Sequence, residues 1–157
     1  MPAVTTRPAD SDDTSFLIDL FAHSSDIPAS LFAANPRLLQ FQFSAQQGAY
    51  TAQFPGASHE LILVDGEPAG QVRWAELADE IRIIDVSLLP RFRRLGAATA
   101  VYHRLLAHAR ARGKPTYASV GRMNTVSQAF HHRLGFTLAR ETEMHLLLRV
   151  AAAPPRG

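Results

Sequence analysis

Arg93-Arg94-Leu95-Gly96-Ala97-Ala98-Thr99 is the stretch of this 157-residue chain best suited to chemistry. It follows the strand-like run Ile81–Leu88 and opens the clearest helical pattern, about Ala97–Arg112. The first N–H groups of a helix have no partner within it, and the helix dipole places partial positive charge at that end. Gly96, Ala97 and Ala98 carry almost no side chain, so an anion can approach those groups. Arg93 and Arg94 add full charges with forked donors. A charge at a helix N-terminus is worth about 0.3–1 kcal/mol when exposed and about 2 kcal/mol when partly buried. The loop therefore positions a diphosphate that must also be held elsewhere. The chain has no Gly-x-x-x-x-Gly-Lys-Ser/Thr and no Gly-x-Gly-x-x-Gly after a strand, which excludes a P-loop and a dinucleotide fingerprint.

A second polar constellation lies in Asn124–Phe136. Asn124, Ser127 and His131 fall at i, i+3 and i+7, one stripe of a short helix. Val126, Phe130 and Leu134 fall at i, i+4 and i+8, and the pattern predicts that they face the core. The stripe is either solvated or turned toward a ligand.

The two segments, Arg-x-x-Gly-x-Ala (Arg93, Gly96, Ala98) and Asn-x-x-Ser-x-x-x-His-x-x-x-Gly-Phe (Asn124, Ser127, His131, Gly135, Phe136), together resemble the signature of the GCN5-related N-acetyltransferase (GNAT) superfamily. The histidine form of the second segment resembles the phosphinothricin acetyltransferase-like branch. The resemblance covers about Ile81–Phe136; the chain before Trp74 matches only in its order of elements and in Arg7-Pro8-Ala9. It implies acetyl-CoA as cosubstrate, with the turn Arg93–Thr99 on its pyrophosphate and Asn124 on its pantetheine arm. Ser127 would let the arm pass, and a backbone N–H near Leu88 would polarise the thioester carbonyl. His131 would lie near the sulfur, either as the acid that protonates the leaving thiolate or only as a hydrogen-bonding group. The reaction implied is acetyl transfer to a primary amine of a small molecule or a protein. That amine must lose a proton, and a carboxylate is the usual base. Asp85 on the central strand is the best placed and Glu80 the second; either could instead be a bonded strand residue. The chain has no cysteine, so direct attack in a ternary complex is the route. A non-catalytic acyl-CoA-binding sensor or interaction module of the same fold stays open.

The remaining sequence must supply elements that position these groups. Val4–Arg7 reads as a strand. Asp10–Asp13 start a helix to about Ala22, with Phe16, Leu17, Leu20 and Phe21 apolar. Asn35-Pro36 starts another to about Ala52, with Leu39, Phe43 and Tyr50 inward and its glutamines mostly exposed. Glu60–Val64, Gly70–Trp74 and Ile81–Leu88 read as strands, the first two joined at Asp65-Gly66. Pro115–Val120 is a strand, Thr125–Leu134 a short helix, and Phe136–Arg140 with Glu143–Val150 a closing antiparallel pair. Mixed hairpins and crossovers of this kind give an α/β class. The resemblance sharpens it to one GNAT-like domain over 1–150. Its strongly curved mixed sheet is flanked by helices, and two parallel strands, ending near Leu88 and Val120, splay at the cofactor cleft. Residues 151–157 read as a loose tail.

Composition sets the remaining bounds. Apolar residues make up 46% and charged residues 19%, ordinary for a soluble domain with a core. No apolar run reaches a membrane span and no export pattern is visible, so membrane association is not expected and a cytoplasmic location is. The net charge is only +2, and the arginines form no nucleic-acid-binding patch. Seven histidines show no metal-ligand spacing, and no metal is expected. The acceptor is read as a small molecule or peptide amine, and the assembly as a monomer or homodimer.

Overall fold

Asp10 shows why the chain turns where it does. Its side chain accepts from Asp12 N–H while the Asp13 carboxylate accepts from Asp10 N–H, a capping box over a single 3₁₀ turn, Ser11–Asp13. Helix α1, Thr14–Ser24, continues from that turn. Asp13 is buried and takes both guanidinium nitrogens of Arg7 on strand β1, Val4–Pro8, at 2.8 and 2.9 Å. That bidentate pair and the Asp10 N–H hold its carboxyl down to about 2.

The computed structural model describes residues 2–152. A six-residue helix α2, Ala29–Ala34, follows a loop, and Phe32 anchors it in the core. No side-chain cap marks its start, which is why the sequence pattern does not reveal it. Helix α3, Pro36–Gln53, begins as expected, with Asn35 Oδ1 accepting from Leu38 N–H and Pro36 in the first turn. Strands β2, Ser58–Val64, and β3, Glu67–Glu76, meet at Asp65-Gly66, both at positive φ. Strand β4, Ile81–Leu88, a 3₁₀ turn Pro90–Phe92, helix α4, Ala97–Ala111, strand β5, Thr116–Gly121, helix α5, Thr125–Arg133, and strands β6, Thr137–Glu141, and β7, His145–Val150, complete the order. Ala151 and Ala152 have no regular structure; the rest of the expected tail lies outside the described residues.

The seven strands form one mixed sheet in the order β1-β2-β3-β4-β5-β7-β6. β1 pairs antiparallel with β2, and β7 pairs antiparallel with both β5 and β6. β4 pairs in parallel with β5 only over Ile81–Ile83 and Thr116–Ala118 among the described residues, although β4 runs on to Leu88. By packing, the chain divides into two units: residues up to Arg73 with Asp85–Val101, and Trp74–Ile84 with the chain from Tyr102 onward.

In the first unit Leu17, Leu20, Phe32, Leu61, Ile62, Val72 and Phe92 are buried. Gly70 is required there. A Cβ at this position would stand 2.1 Å from the Ser87 carbonyl oxygen and 2.7 Å from Leu88 Cδ2. In the second unit Ile81, Ile83, Leu105, Leu106, Ala118, Val120 and Phe136 are buried. Glu76, at the end of β3, gathers His108, Arg112 and Lys114 within 2.8–3.2 Å. These partners, Lys114 first, hold its carboxyl down to about 2.

Two sequence expectations are corrected. Periodicity places Val126 in the core, but it is 79% exposed, whereas His131 is 4% exposed. Helix α5 therefore turns its histidine inward, because Tyr102, Phe130 and Phe136 surround the ring edge-to-face at 5.1–5.4 Å. On α3, the glutamines expected in solvent include Gln42, Gln46 and Gln47, which are half-buried; the first two line a cavity and Gln47 accepts a hydrogen bond from Arg73.

Candidate active site

Asp85 lies on β4, in a strand that carries Ile81 and Ile83 into the core. Its carboxyl lines a cavity of about 340 Å³ in the first unit. The cavity is walled by Phe21 and Ser24 of α1, Asp26 and Ile27 of the next loop, Gln42 and Gln46 of α3, and Gln71 of β3. Gln71 Nε2–H donates to Asp85 Oδ2 at 2.8 Å and lies 3.3 Å from Ser87 Oγ. Burial pushes the Asp85 carboxyl up from 3.8 to about 6, against the opposing pull of the Arg73 charge and the Gln71 donor. Such a group is ionised at neutral pH and still a competent proton acceptor. Glu80, the second-ranked carboxylate, is bound at 3.1 Å by Arg82 in the other unit.

Arg73, His59 and Tyr50 lie behind Gln71. His59 Nε2 is 2.7 Å from Gln71 Oε1, and Arg73 Nη2 reaches both Gln47 Oε1 and His59 Nδ1. The Arg73 guanidinium stacks over the Tyr50 ring at 5.1 Å. Its Nε is buried without a hydrogen-bond partner among the described residues. Burial moves His59 below its ordinary value and Tyr50 well above its own.

The loop after β4 has the geometry of an anion cradle. Arg94 has φ 62° and Gly96 φ 80°, and the first intrahelical bond of α4 runs from Ala100 N–H to the Gly96 carbonyl. The N–H groups of Gly96, Ala97, Ala98 and Thr99 thus have no partner within the helix. Arg94, Leu95 and Gly96 are exposed, and Ala97 is buried. Arg93 spends its side chain inward: Nε donates to the Leu88 carbonyl at 3.0 Å and Nη2 to the His23 carbonyl at 3.4 Å. It fixes the loop to the end of β4 and leaves Arg94 as the outward cation. A diphosphate fits such a loop: small residues, free N–H groups, positive charge and no carboxylate in the segment.

In the second unit Asn124 caps α5, its Oδ1 accepting from Ser127 N–H at 3.0 Å. The cap uses the oxygen and leaves the amide NH₂ for a ligand acceptor. Ser127 is half-buried, with Oγ 3.4 Å from His131 Nδ1. His131 Nδ1 is 2.7 Å from the Ser127 carbonyl, which can only accept, so Nδ1 carries the proton. Nε2 is then the acceptor of the Tyr102 hydroxyl at 2.7 Å. Burial lowers the His131 pKa, so the ring is neutral at pH 7.

Sequence reasoning singles out Asp85, the loop and the α5 residues as candidates. It misses Gln71, Arg73, His59, Gln42 and Gln46, and gives Tyr102 no role. One signal was available: Gln71 and Arg73 alternate with Gly70, Val72 and Trp74 along β3, so both share one face of the strand.

The chain matches the model of the acetyltransferase (GNAT) family over residues 27–136, and it belongs to that family, whose enzymes use acetyl-CoA as cosubstrate. No curated protein matches it. Among solved structures it is similar to the PaiA N-acetyltransferase of Thermoplasma acidophilum in complex with coenzyme A, with TM-score 0.72 and 12% identity, covering 95% of this chain and 99% of that one. It is also similar to the ribosomal-protein-S18-alanine N-acetyltransferase of Escherichia coli, with TM-score 0.68 and 16% identity over 98% and 97% of the two chains. A third is YncA of Salmonella typhimurium, solved with acetyl-CoA, with TM-score 0.60, 17% identity and 98% coverage of each chain. At these identities the likeness is one of fold.

Proposed function

We propose that this protein transfers the acetyl group of acetyl-CoA to a primary amine of a small molecule or peptide, by direct attack in a ternary complex. The observation that carries the reading is the polar cavity with Asp85 in its wall, its carboxyl pushed up to about 6. An alkylammonium at pH 7 is about three units below its pKa, so its deprotonation costs roughly 4–5 kcal/mol. Asp85 is the base that accepts this proton, directly or through one water. Ser87, Gln42 and Gln46 supply donors and acceptors that orient the acceptor molecule.

The backbone N–H groups of Gly96–Thr99, with Leu95 beside them and the Arg94 cation, would hold the diphosphate. Arg93 would act by fixing the loop to Leu88, whose N–H would polarise the thioester carbonyl. Asn124 and Ser127 would bond the pantetheine arm. Of the two roles open to His131, hydrogen bonding fits a neutral, buried imidazole better than proton donation. Its place in the second motif supports kinship with the phosphinothricin acetyltransferase-like branch.

Calorimetric titration with acetyl-CoA and CoA tests the reading, beside an Arg94→Ala/Gly96→Asp double variant, followed by an amine screen with thiol detection. Micromolar binding that the double variant loses, with acetylation of at least one amine, is expected. A folded protein that binds neither thioester nor thiol sinks the proposal; binding without transfer to any amine leaves an acyl-CoA sensor.

A further inference from the structure

We propose that Arg73, His59 and Gln71 form a one-directional hydrogen-bond chain that turns the Gln71 amide toward Asp85 and holds that carboxylate as an acceptor facing the cavity. Naming Asp85 the base rests on the acetyltransferase reading; the chain itself rests on geometry. A guanidinium can only donate. Arg73 Nη2 lies 3.2 Å from His59 Nδ1, so Nδ1 must carry the lone pair. A neutral imidazole with Nδ1 unprotonated carries its proton on Nε2. That nitrogen is 2.7 Å from the Gln71 side chain, so the amide oxygen must be the atom facing it. The Gln71 NH₂ is then compelled to face Asp85, at 2.8 Å.

Flipping the Gln71 amide would place a carbonyl against the carboxylate and an NH₂ against the His59 N–H. Each link therefore excludes the reverse orientation of the next. The origin of the direction is the buried Arg73, anchored by Gln47 and the Tyr50 ring and making no ion pair among the described residues. The other charges acting on the chain are consistent with it. Asp13, itself held by Arg7, and Arg73 act on His59, and burial keeps that ring neutral. Arg73 acts on Asp85, whose own charge reaches Tyr50. The three residues are positioning residues; none is assigned contact with the reacting atoms.

The test is carboxyl-carbon NMR titration of the aspartates in the full chain, with the Asp85 signal identified by its loss in Asp85→Asn. The native protein is compared with Gln71→Met, His59→Phe and His59→Gln. A carboxylate that loses a donor ionises less readily, so Asp85 should titrate about one pH unit higher in Gln71→Met and in His59→Phe. His59→Gln, which keeps an acceptor and a donor on one side chain, should return Asp85 most of the way to its native value. Calorimetric affinity for acetyl-CoA should be unchanged throughout. An Asp85 titration that stays in place in either Gln71→Met or His59→Phe overturns the proposal, as does an equal displacement by His59→Phe and His59→Gln. If Asp85 moves as expected while the native protein acetylates no amine, the chain stands and the acetyltransferase reading fails.

Discussion

Replacing Asp85 by asparagine should make the protein more stable and less active, with a pH dependence that identifies the cause. In the folded state the carboxyl titrates at about 6 instead of 3.8, because burial disfavours the charged form. A folded pKa raised above the unfolded one contributes stability that is fully present below 3.8 and lost as pH rises through about 6. At 1.36 kcal/mol per pH unit, holding the charge in the cavity costs the native protein about 3 kcal/mol above pH 6, an upper value because the cavity admits solvent. The substituted amide would keep an oxygen for the Gln71 NH₂ at similar volume, so no new unsatisfied group is created. The Asp85→Asn protein should therefore exceed the native one in urea midpoint at pH 7.5, and the gap should shrink toward zero near pH 4. Native kcat/KM for the amine should fall about tenfold per pH unit below 6, and the variant should lack that limb. Equal midpoints at pH 7.5, or a stabilisation of the same size at both pH values, would refute the argument that Asp85 is held charged against its burial.

Three further outcomes are expected. Tyr102→Phe strips the His131 Nε2 of its donor in a buried aromatic cage and should destabilise by about 1–3 kcal/mol in urea titration, with acetyl-CoA affinity little changed. Gly70→Ala drives a methyl group into the Ser87 carbonyl oxygen and should lower stability by about 1–3 kcal/mol or more, read as a fall in thermal midpoint. Glu76→Gln removes the anion that collects Lys114, His108 and Arg112. The Glu76 pKa is lowered from 4.5 to about 2, so its contribution is present above 4.5 and lost as pH falls toward 2. The thermal-midpoint loss in this variant should accordingly be larger at pH 6 than at pH 3.

The turn between β4 and α4 was legible because its determinants are local. Small residues after arginines, between an apolar strand and a 3.6-period helix, mark a tight strand-to-helix turn with open N–H groups. The helix starts at Asp10 and Asn35 were legible for the same reason, since a cap acts within three residues. The facing of α5 was not legible. Periodicity separates two stripes of a helix, but choosing the inward one requires its neighbours, and here Tyr102 and Phe136 favour the histidine stripe over Val126. The glutamines of α3 were misjudged likewise: composition marks them as polar, while packing makes Gln42 and Gln46 cavity wall and Gln47 an anchor for Arg73.

By itself the sequence determined the order of the strands and longer helices, the α/β class, the family resemblance and the turn between β4 and α4. All of these rest on spacing within a few residues or on patterns repeated along one element. Only the tertiary structure decided what surrounds Asp85. Its raised pKa needs burial beside β3 and α3, and its donor is a glutamine fourteen residues away whose orientation is set by His59 and Arg73. Desolvation and hydrogen-bond direction are properties of assembled neighbours, and no local pattern encodes them.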